Sequence, residues 1–237
     1  MSDRSGSFEI WACNSDGSNA VQLTSFGEFA RGSRWSADGR SLVFEAAAGG
    51  NHDIYVMGAN GGAPRRLTTD PAFDKFPCWS RDGQSVYFVS NRSGSYEIWK
   101  MPVAGGEAVQ ISRNQGDLPQ ESPDGRSLYY MKGQPYPEEC SVWRMLAGGG
   151  EETRVIDSFQ CDGGWHVGEQ GVYFFAKPDE KGRSELQLHE FATGKTRKIL
   201  TVERPVMGIT ASPDGRTILW TQSDQAGSDL MLVENFR

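Results

Sequence analysis

The chain has 237 residues, with 29 glycines, 11% aromatics, 37% hydrophobics and a formal net charge of −7. So acidic a surface repels phosphate backbones, and direct nucleic-acid binding by this segment is not expected. No apolar run approaches the ~20 residues that cross a bilayer, and residues 1–7 lack the apolar core of a signal peptide, so membrane insertion by this segment is not expected either.

Taken in chain order, the first predicted strand sets a ruler. Glu9-Ile10-Trp11 recurs as Asp53-Ile54-Tyr55, Glu97-Ile98-Trp99, Ser141-Val142-Trp143, Glu185-Leu186-Gln187 and Asp229-Leu230-Met231. The central apolar residue advances by a constant step along positions 10, 54, 98, 142, 186 and 230. A second strand keeps the step at Leu23-Thr24, Leu67-Thr68, Ile111-Ser112, Val155-Ile156 and Ile199-Leu200. Between the two lies a turn holding glycine (Asp16-Gly17, Gly61-Gly62, Gly105-Gly106, Gly149-Gly150, Thr193-Gly194), which supplies positive φ for a hairpin.

A third strand follows an Asp-Gly turn. Ser36-Ala37-Asp38-Gly39, Ser80-Arg81-Asp82-Gly83, Ser122-Pro123-Asp124-Gly125 and Ser212-Pro213-Asp214-Gly215 each precede an apolar strand. The serine and aspartate side chains suit bonding to local amides, and Asp-Gly between apolar runs is a strong hairpin signal. A short fourth strand before this turn carries Trp35, Cys78-Trp79 or Trp165. In the unit that starts at Trp165, Val167-Gly168-Glu169-Gln170-Gly171 replaces the Asp-Gly turn, and a different hairpin is expected there.

Each unit therefore reads as four short antiparallel strands. One such sheet cannot bury both faces alone, whereas sheets stacked radially can, with aromatics between them. The fold class is thus all-β, a β-propeller of four-stranded blades, about five to six of them and partly incomplete. The chain is read as a single propeller domain over 1–237, or the C-terminal part of one, with units near 1–34, 35–78, 79–121, 122–164, 165–210 and 211–237. Asp3-Arg4-Ser5-Gly6 matches the mid-blade hairpin Asn91-Arg92-Ser93-Gly94, so the first unit opens inside a blade. Trp35, Trp79, Phe44, Phe88, Trp99 and Trp143 are read as inter-blade packing. Ring closure between the termini and an open ring of incomplete blades both stay open.

The Trp-Ser-x-Asp-Gly turn, the Asn91-Arg92-Ser93-Gly94 hairpin, the Asp/Glu-Ile-Tyr/Trp strand and the stretch from Gly61 to Thr68 resemble the WD-like propeller repeat of the TolB type. The last residues, from Gly227 to Arg237, are similar to the end of the C-terminal propeller in large bacterial winged-helix regulators of the CadC-like type. The resemblance implies a sensing or interaction propeller within a larger bacterial protein. Its compartment, periplasm or cytoplasm, would depend on the rest of that protein.

Chemistry is sparse. There is no Gly-x-Ser-x-Gly elbow and no phosphate-cradling glycine loop. His52, His166 and His189 fall at unlike places in their units, which is not a metal-ligand pattern. Cys13 and Cys78 read as buried free thiols; Cys140 and Cys161 could pair, and spacing does not decide whether they do. The recurring carboxylates read as architecture, because an active site needs unlike groups converging once. No catalytic residue, cofactor or metal is expected.

Function on a repeat fold belongs where repeats differ. The variable loops 25–32, 69–76, 113–120, 157–164 and 202–207 hold Phe29, Arg31, Phe73, Asp74, Lys75, Phe159 and Arg204, a mixture of aromatics and cations suited to binding a protein or peptide, or a small ligand. A second candidate patch is the insertion 132–139. The expected function is a non-catalytic interaction or sensor propeller; the alternative is a propeller hydrolase or lyase with a carboxylate site in the central channel.

Overall fold

The computed structural model describes residues 1–133, 140–161, 164–204, 206–212, 214–224 and 227–234. Most of the insertion 132–139 lies outside them. The described residues form strands and turns throughout, and they group into two compact units: Met1–Glu121 with Gly148–Gly150, and Ser122–Ala147 with Glu151–Arg237.

The first unit opens with a two-stranded sheet, β1 (Trp11–Ala12) and β2 (Val21–Gln22). Two four-stranded sheets follow in sequential antiparallel order. The first holds β3 (Phe29–Trp35), β4 (Ser41–Ala48), β5 (Asn51–Gly58) and β6 (Arg65–Arg66). The second holds β7 (Asp74–Trp79), β8 (Ser85–Ser90), β9 (Glu97–Pro102) and β10 (Val109–Gln110). The last strand of this unit is β11 (Asp117–Glu121).

Sheets pack face to face through the predicted apolar positions. Val43, Ile54 and Leu67 of one sheet meet Trp79, Val86, Phe88 and Met101 of the next in one buried cluster. Each such side chain, fully buried, contributes about 1.5–3 kcal/mol. Trp79 also donates its indole N–H to the Arg34 carbonyl, 3.1 Å away. Trp35, expected to pack in the same way, is instead 55% exposed. The sheet that precedes it consists only of the short pair β1–β2, which offers too little surface to cover an indole. Cys13 follows β1 and is exposed for the same reason, not buried as expected, while Cys78 is half-buried.

The recurring residues explain themselves here. In each Ser-x-Asp-Gly turn the serine hydroxyl donates to the aspartate, and the aspartate accepts from the amide two residues on: 2.6 and 3.0 Å at Ser36, Asp38 and Arg40, and 2.5 and 3.0 Å at Ser212, Asp214 and Arg216. In the first unit the recurring acids Glu9, Asp53 and Glu97 are buried staples. Glu97 accepts from the Ser112 hydroxyl at 2.6 Å and from the Gln115 amide at 3.1 Å, while the same hydroxyl accepts from the Ile98 amide at 2.8 Å. Glu9 does likewise with Thr24 at 2.6 Å and Gly27 at 2.9 Å. Asp53 reaches Thr68 at 3.4 Å and Arg66 at 2.5 Å.

The second unit contains β12 (Ser127–Lys132), β13 (Cys140–Leu146) and β14 (Thr153–Phe159), again sequential and antiparallel. It continues with a four-stranded sheet of β15 (Trp165–Val167), β16 (Gly171–Phe175), β17 (Ser184–Glu190) and β18 (Thr196–Val202). A three-stranded sheet closes it: β19 (Val206–Ala211), β20 (Thr217–Asp224) and β21 (Gly227–Glu234). Tyr173, Phe175, Leu186, Leu188, Val206, Ile209, Ile218 and Trp220 form its core.

The unit at Trp165 keeps its blade with the different hairpin expected. Gly168 donates to the Gly171 carbonyl at 2.9 Å across a two-residue loop. Gly171 is required there, because a Cβ would sit 2.0 Å from the His189 carbonyl oxygen. The staple is lost in the preceding blade, that of β12, β13 and β14. Position 141 is serine and its hydroxyl partner position holds Ile156, so the polar link of the earlier units is gone. In its place Cys140, next door, is disulfide-bonded to Cys161, with Cα atoms 5.4 Å apart. A covalent tie thus stands where the sheets of the first unit use a buried carboxylate; at the equivalent Glu185 the acid is instead half-exposed and pairs with Lys198 at 2.8 Å.

Candidate partner-binding face

The innermost strands carry a repeated irregularity that positions the candidate residues. Register breaks between Arg31 and Arg34 in β3, between Lys75 and Cys78 in β7, and between Met207 and Ile209 in β19. Four residues before each Ser-x-Asp-Gly serine stands a left-handed residue: Gly32 (φ 64°), Phe76 (50°), Leu118 (49°) and Gly208 (72°). Such a bulge re-aims the preceding side chain and is cheapest with glycine. Phe76 and Leu118 lack that freedom, and each is followed by a proline, which closes the right-handed helical region to them. Backbone conformations of this cost persist where surroundings hold them, and they concentrate at functional sites.

In the first unit the bulges build one continuous ledge. The Phe29 and His52 rings lie 4.5 Å apart, His52 stacks on Phe73 at 3.7 Å, and Phe73 meets Tyr96 edge-on at 6.4 Å. Arg31 sits 5.1 Å over Phe29. The Lys75 ammonium lies 4.3 Å over Tyr96 and 4.7 Å over Phe76, and pairs with Asp117 at 2.8 Å.

Beneath the ledge is Glu45, whose side chain is 0% exposed. It accepts from Arg31 at 2.9 and 3.1 Å, from the Phe76 amide at 3.4 Å, and lies 3.2 Å from His52 Nδ1. One buried carboxylate therefore fixes a cation, a ring and a bulge from three strands. A buried charge is tolerated only with such partners, and the partners are thereby held in place.

The sequence-derived candidates divide. Phe29, Arg31, Phe73 and Lys75 come together on the ledge, and Phe29, Arg31 and Lys75 lie on bulged strands, not in loops. Asp74 is buried and gripped by Arg92 at 2.9 and 3.1 Å, so it supports the ledge from within. Burial pushes its carboxyl above the usual carboxylate range, opposed by Ser90 and Arg92. Phe159 and Arg204 belong to the second unit. Phe159 is 0% exposed, opposite Cys140 in the register and edge-on to Trp165, so it presents no surface to a partner; Arg204 is exposed beyond β18.

Glu45, His52, Tyr96 and Asp117 were missed. The one available signal was Glu45, an acid in an apolar strand where the corresponding residues are Val89 and Met131. Among the described residues, no group of three or more His, Cys, Asp or Glu converges to hold a metal ion.

Comparison with known proteins agrees with this architecture. Residues 22–164 match the family model of the TolB β-propeller domain, PD40. No curated protein matches the chain in sequence. Among solved structures, TolB from Acinetobacter baumannii superposes with a TM-score of 0.80 at 14% identity, over 96% of this chain and 57% of that one. This chain thus spans little more than half the length of that TolB. A TolB-like protein from Agrobacterium tumefaciens gives 0.71 at 18% identity, over 96% and 83%. A nidogen/laminin complex gives 0.71 at 9% identity, over 91% and 80%. With the family match covering more than half of the sequence, the chain belongs to the TolB β-propeller family.

Proposed function

We propose that the chain is a non-catalytic interaction propeller and that the Phe29–His52–Phe73–Tyr96 ledge captures a protein or peptide segment. The observation that carries this reading is Glu45, a non-repeating, fully buried carboxylate that holds Arg31, His52 and the Phe76 bulge of a half-exposed row of rings. Rigid aromatic anchors flanked by arginine are what a binding hot spot requires, and preorganising them lowers the cost of association. The TolB and nidogen folds among its structural relatives support a protein partner in general terms. We extend the reading to a sensing role within a larger bacterial protein, in line with the resemblance of the terminal residues to winged-helix regulators. The Cys140–Cys161 disulfide suits an oxidising compartment.

The catalytic alternative has a structural relative, an oligogalacturonate lyase in complex with manganese (TM-score 0.61, 13% identity, over 96% of this chain and 82% of that one). It calls for carboxylates with raised pKa facing one cavity. Among the described residues the carboxylates that burial pushes upward are Asp53 and Asp74; Asp53 is tied to Arg66, Asn51 and Thr68, and Asp74 to Ser90, Arg92 and Thr68. These are structural pairings, which favours the binding reading.

The test is a peptide-library selection on the intact chain, with each binder re-measured on Phe73→Ala and on Glu45→Gln. Loss of affinity of about tenfold or more in Phe73→Ala, without a shift in melting temperature, supports the ledge. Binders that retain full affinity for both variants place the recognition elsewhere and refute it.

A further inference from the structure

A different feature stands out in the second unit. A cleft of about 510 Å³ is lined by Lys132, Ser141, Trp143, Arg154, Asp157 and Lys177, together with Gly133 and Ser158. That volume is in the range of small-molecule sites. Lys132, Arg154 and Lys177 line it together with Asp157, and Glu152 pairs with Lys132, in a chain whose net charge is −7. Lys132 is peculiar to this unit, since the equivalent positions hold Ala46 and Ser90.

We propose that this cleft binds a small acidic sugar, with a uronate-type ring against Trp143 and its carboxylate on Arg154. The indole is fixed for that purpose: its N–H donates to the Ser141 hydroxyl at 3.0 Å, and the Lys132 ammonium lies 4.7 Å over the ring. Lys132 is itself held by Glu152 at 2.6 Å. Arg154 donates to the Asp157 main-chain carbonyl and pairs with the Asp157 carboxylate at 3.2 Å, a side chain that is 92% exposed. An exposed pair of this kind is worth at most about 1 kcal/mol, whereas a guanidinium takes an incoming carboxylate through two parallel hydrogen bonds. The exposed Ser158 hydroxyl in the wall matches a hydroxyl of a sugar. The walls are also covalently tied, since Cys140 precedes Ser141 and its disulfide partner Cys161 follows Ser158 closely in sequence.

The experiment titrates the full chain with a glucuronate-terminated disaccharide, with cellobiose and with inorganic sulfate, by calorimetry and tryptophan fluorescence. Saturable binding of the acidic disaccharide is expected, at least about tenfold tighter than cellobiose or sulfate. Arg154→Gln weakens it by about tenfold with an unchanged melt, because this side chain is half exposed. Trp143→Phe keeps a ring and weakens it less. Equal affinity for cellobiose overturns the anionic class. Sulfate binding as tight as the disaccharide reduces the cleft to a simple anion site and overturns the sugar. Full affinity in Arg154→Gln overturns the assignment to this cleft.

Discussion

The carboxylate staple is the most exposed claim about how this sequence holds its blades, and Glu97 tests it. Glu97 is 2% exposed. It accepts from Ser112 at 2.6 Å, Gln115 at 3.1 Å and Ser95 at 3.1 Å. Hydrogen bonds to a charged group contribute about 1.5–3 kcal/mol each, so Glu97→Ala removes about 4.5 kcal/mol even at the lower figure. For a chain of this size that lowers the melting midpoint by roughly 9–18 °C. Glu97→Gln keeps an acceptor for Ser112 and costs about half as much. Combining Glu97→Ala with Ser112→Ala in a double-mutant cycle, read by urea denaturation, gives a coupling of about 1.5–2 kcal/mol, since the two groups share one bond. Additive losses, or a Glu97→Ala penalty below about 1 kcal/mol, refute the staple and leave strand packing to hold the blade.

The disulfide that replaces the staple in the next unit closes a loop across a sequence separation of 21 residues. Reduction, or Cys140→Ser, is expected to cost about 3 kcal/mol in urea, with no change in an otherwise identical Cys13→Ser control. The Asp-Gly turns govern the acid limb. The hydroxyls of Ser36, Ser122 and Ser212, and then the backbone amides, hold Asp38, Asp124 and Asp214 below the ordinary 3.8. Depressed carboxylates add stability that is full above the unfolded value and is lost as pH falls through the folded value. Asn at all three therefore flattens the loss of stability below about pH 4, while Asp53 and Asp74, pushed upward by burial, contribute with the opposite slope. At the bulge, Phe76→Gly relieves about 1–2 kcal/mol of left-handed strain against about 0.5–1 kcal/mol of lost contact with Lys75, so stability changes little while ledge binding falls. Gly32→Ala, whose Cβ would meet nothing within 4 Å, costs about 1 kcal/mol from its positive φ alone.

What the sequence made legible is what it repeats. The step from Ile10 to Leu230, the Asp-Gly turns and the acids at strand starts are local patterns written several times, so chance is a poor explanation for them and the propeller follows. Trp35 shows the limit of that logic. It shares a position with Trp79, but its burial depends on the sheet beside it, which periodicity along the chain does not describe. The bulge was illegible for a related reason, because Gly32, Phe76, Leu118 and Gly208 adopt one backbone conformation with three residue types.

The ledge shows why a repeat fold hides its function in single substitutions. At the position of Glu45 the other repeats carry Val89, Met131, Phe175 and Thr221, none of them charged. An acid there costs burial energy that must be offset by partners. The partners that offset it, Arg31, His52 and the Phe76 amide, are drawn from the strands around it, and each belongs to the exposed ring row or its support. The same carboxylate therefore closes an electrostatic demand of the core and sets the geometry of the surface. Read along the chain, Glu45 is a lone acid in an apolar strand. The pairing of β4 with β3 and β5 shows what it does there, since it brings Arg31 and His52 to the buried carboxylate.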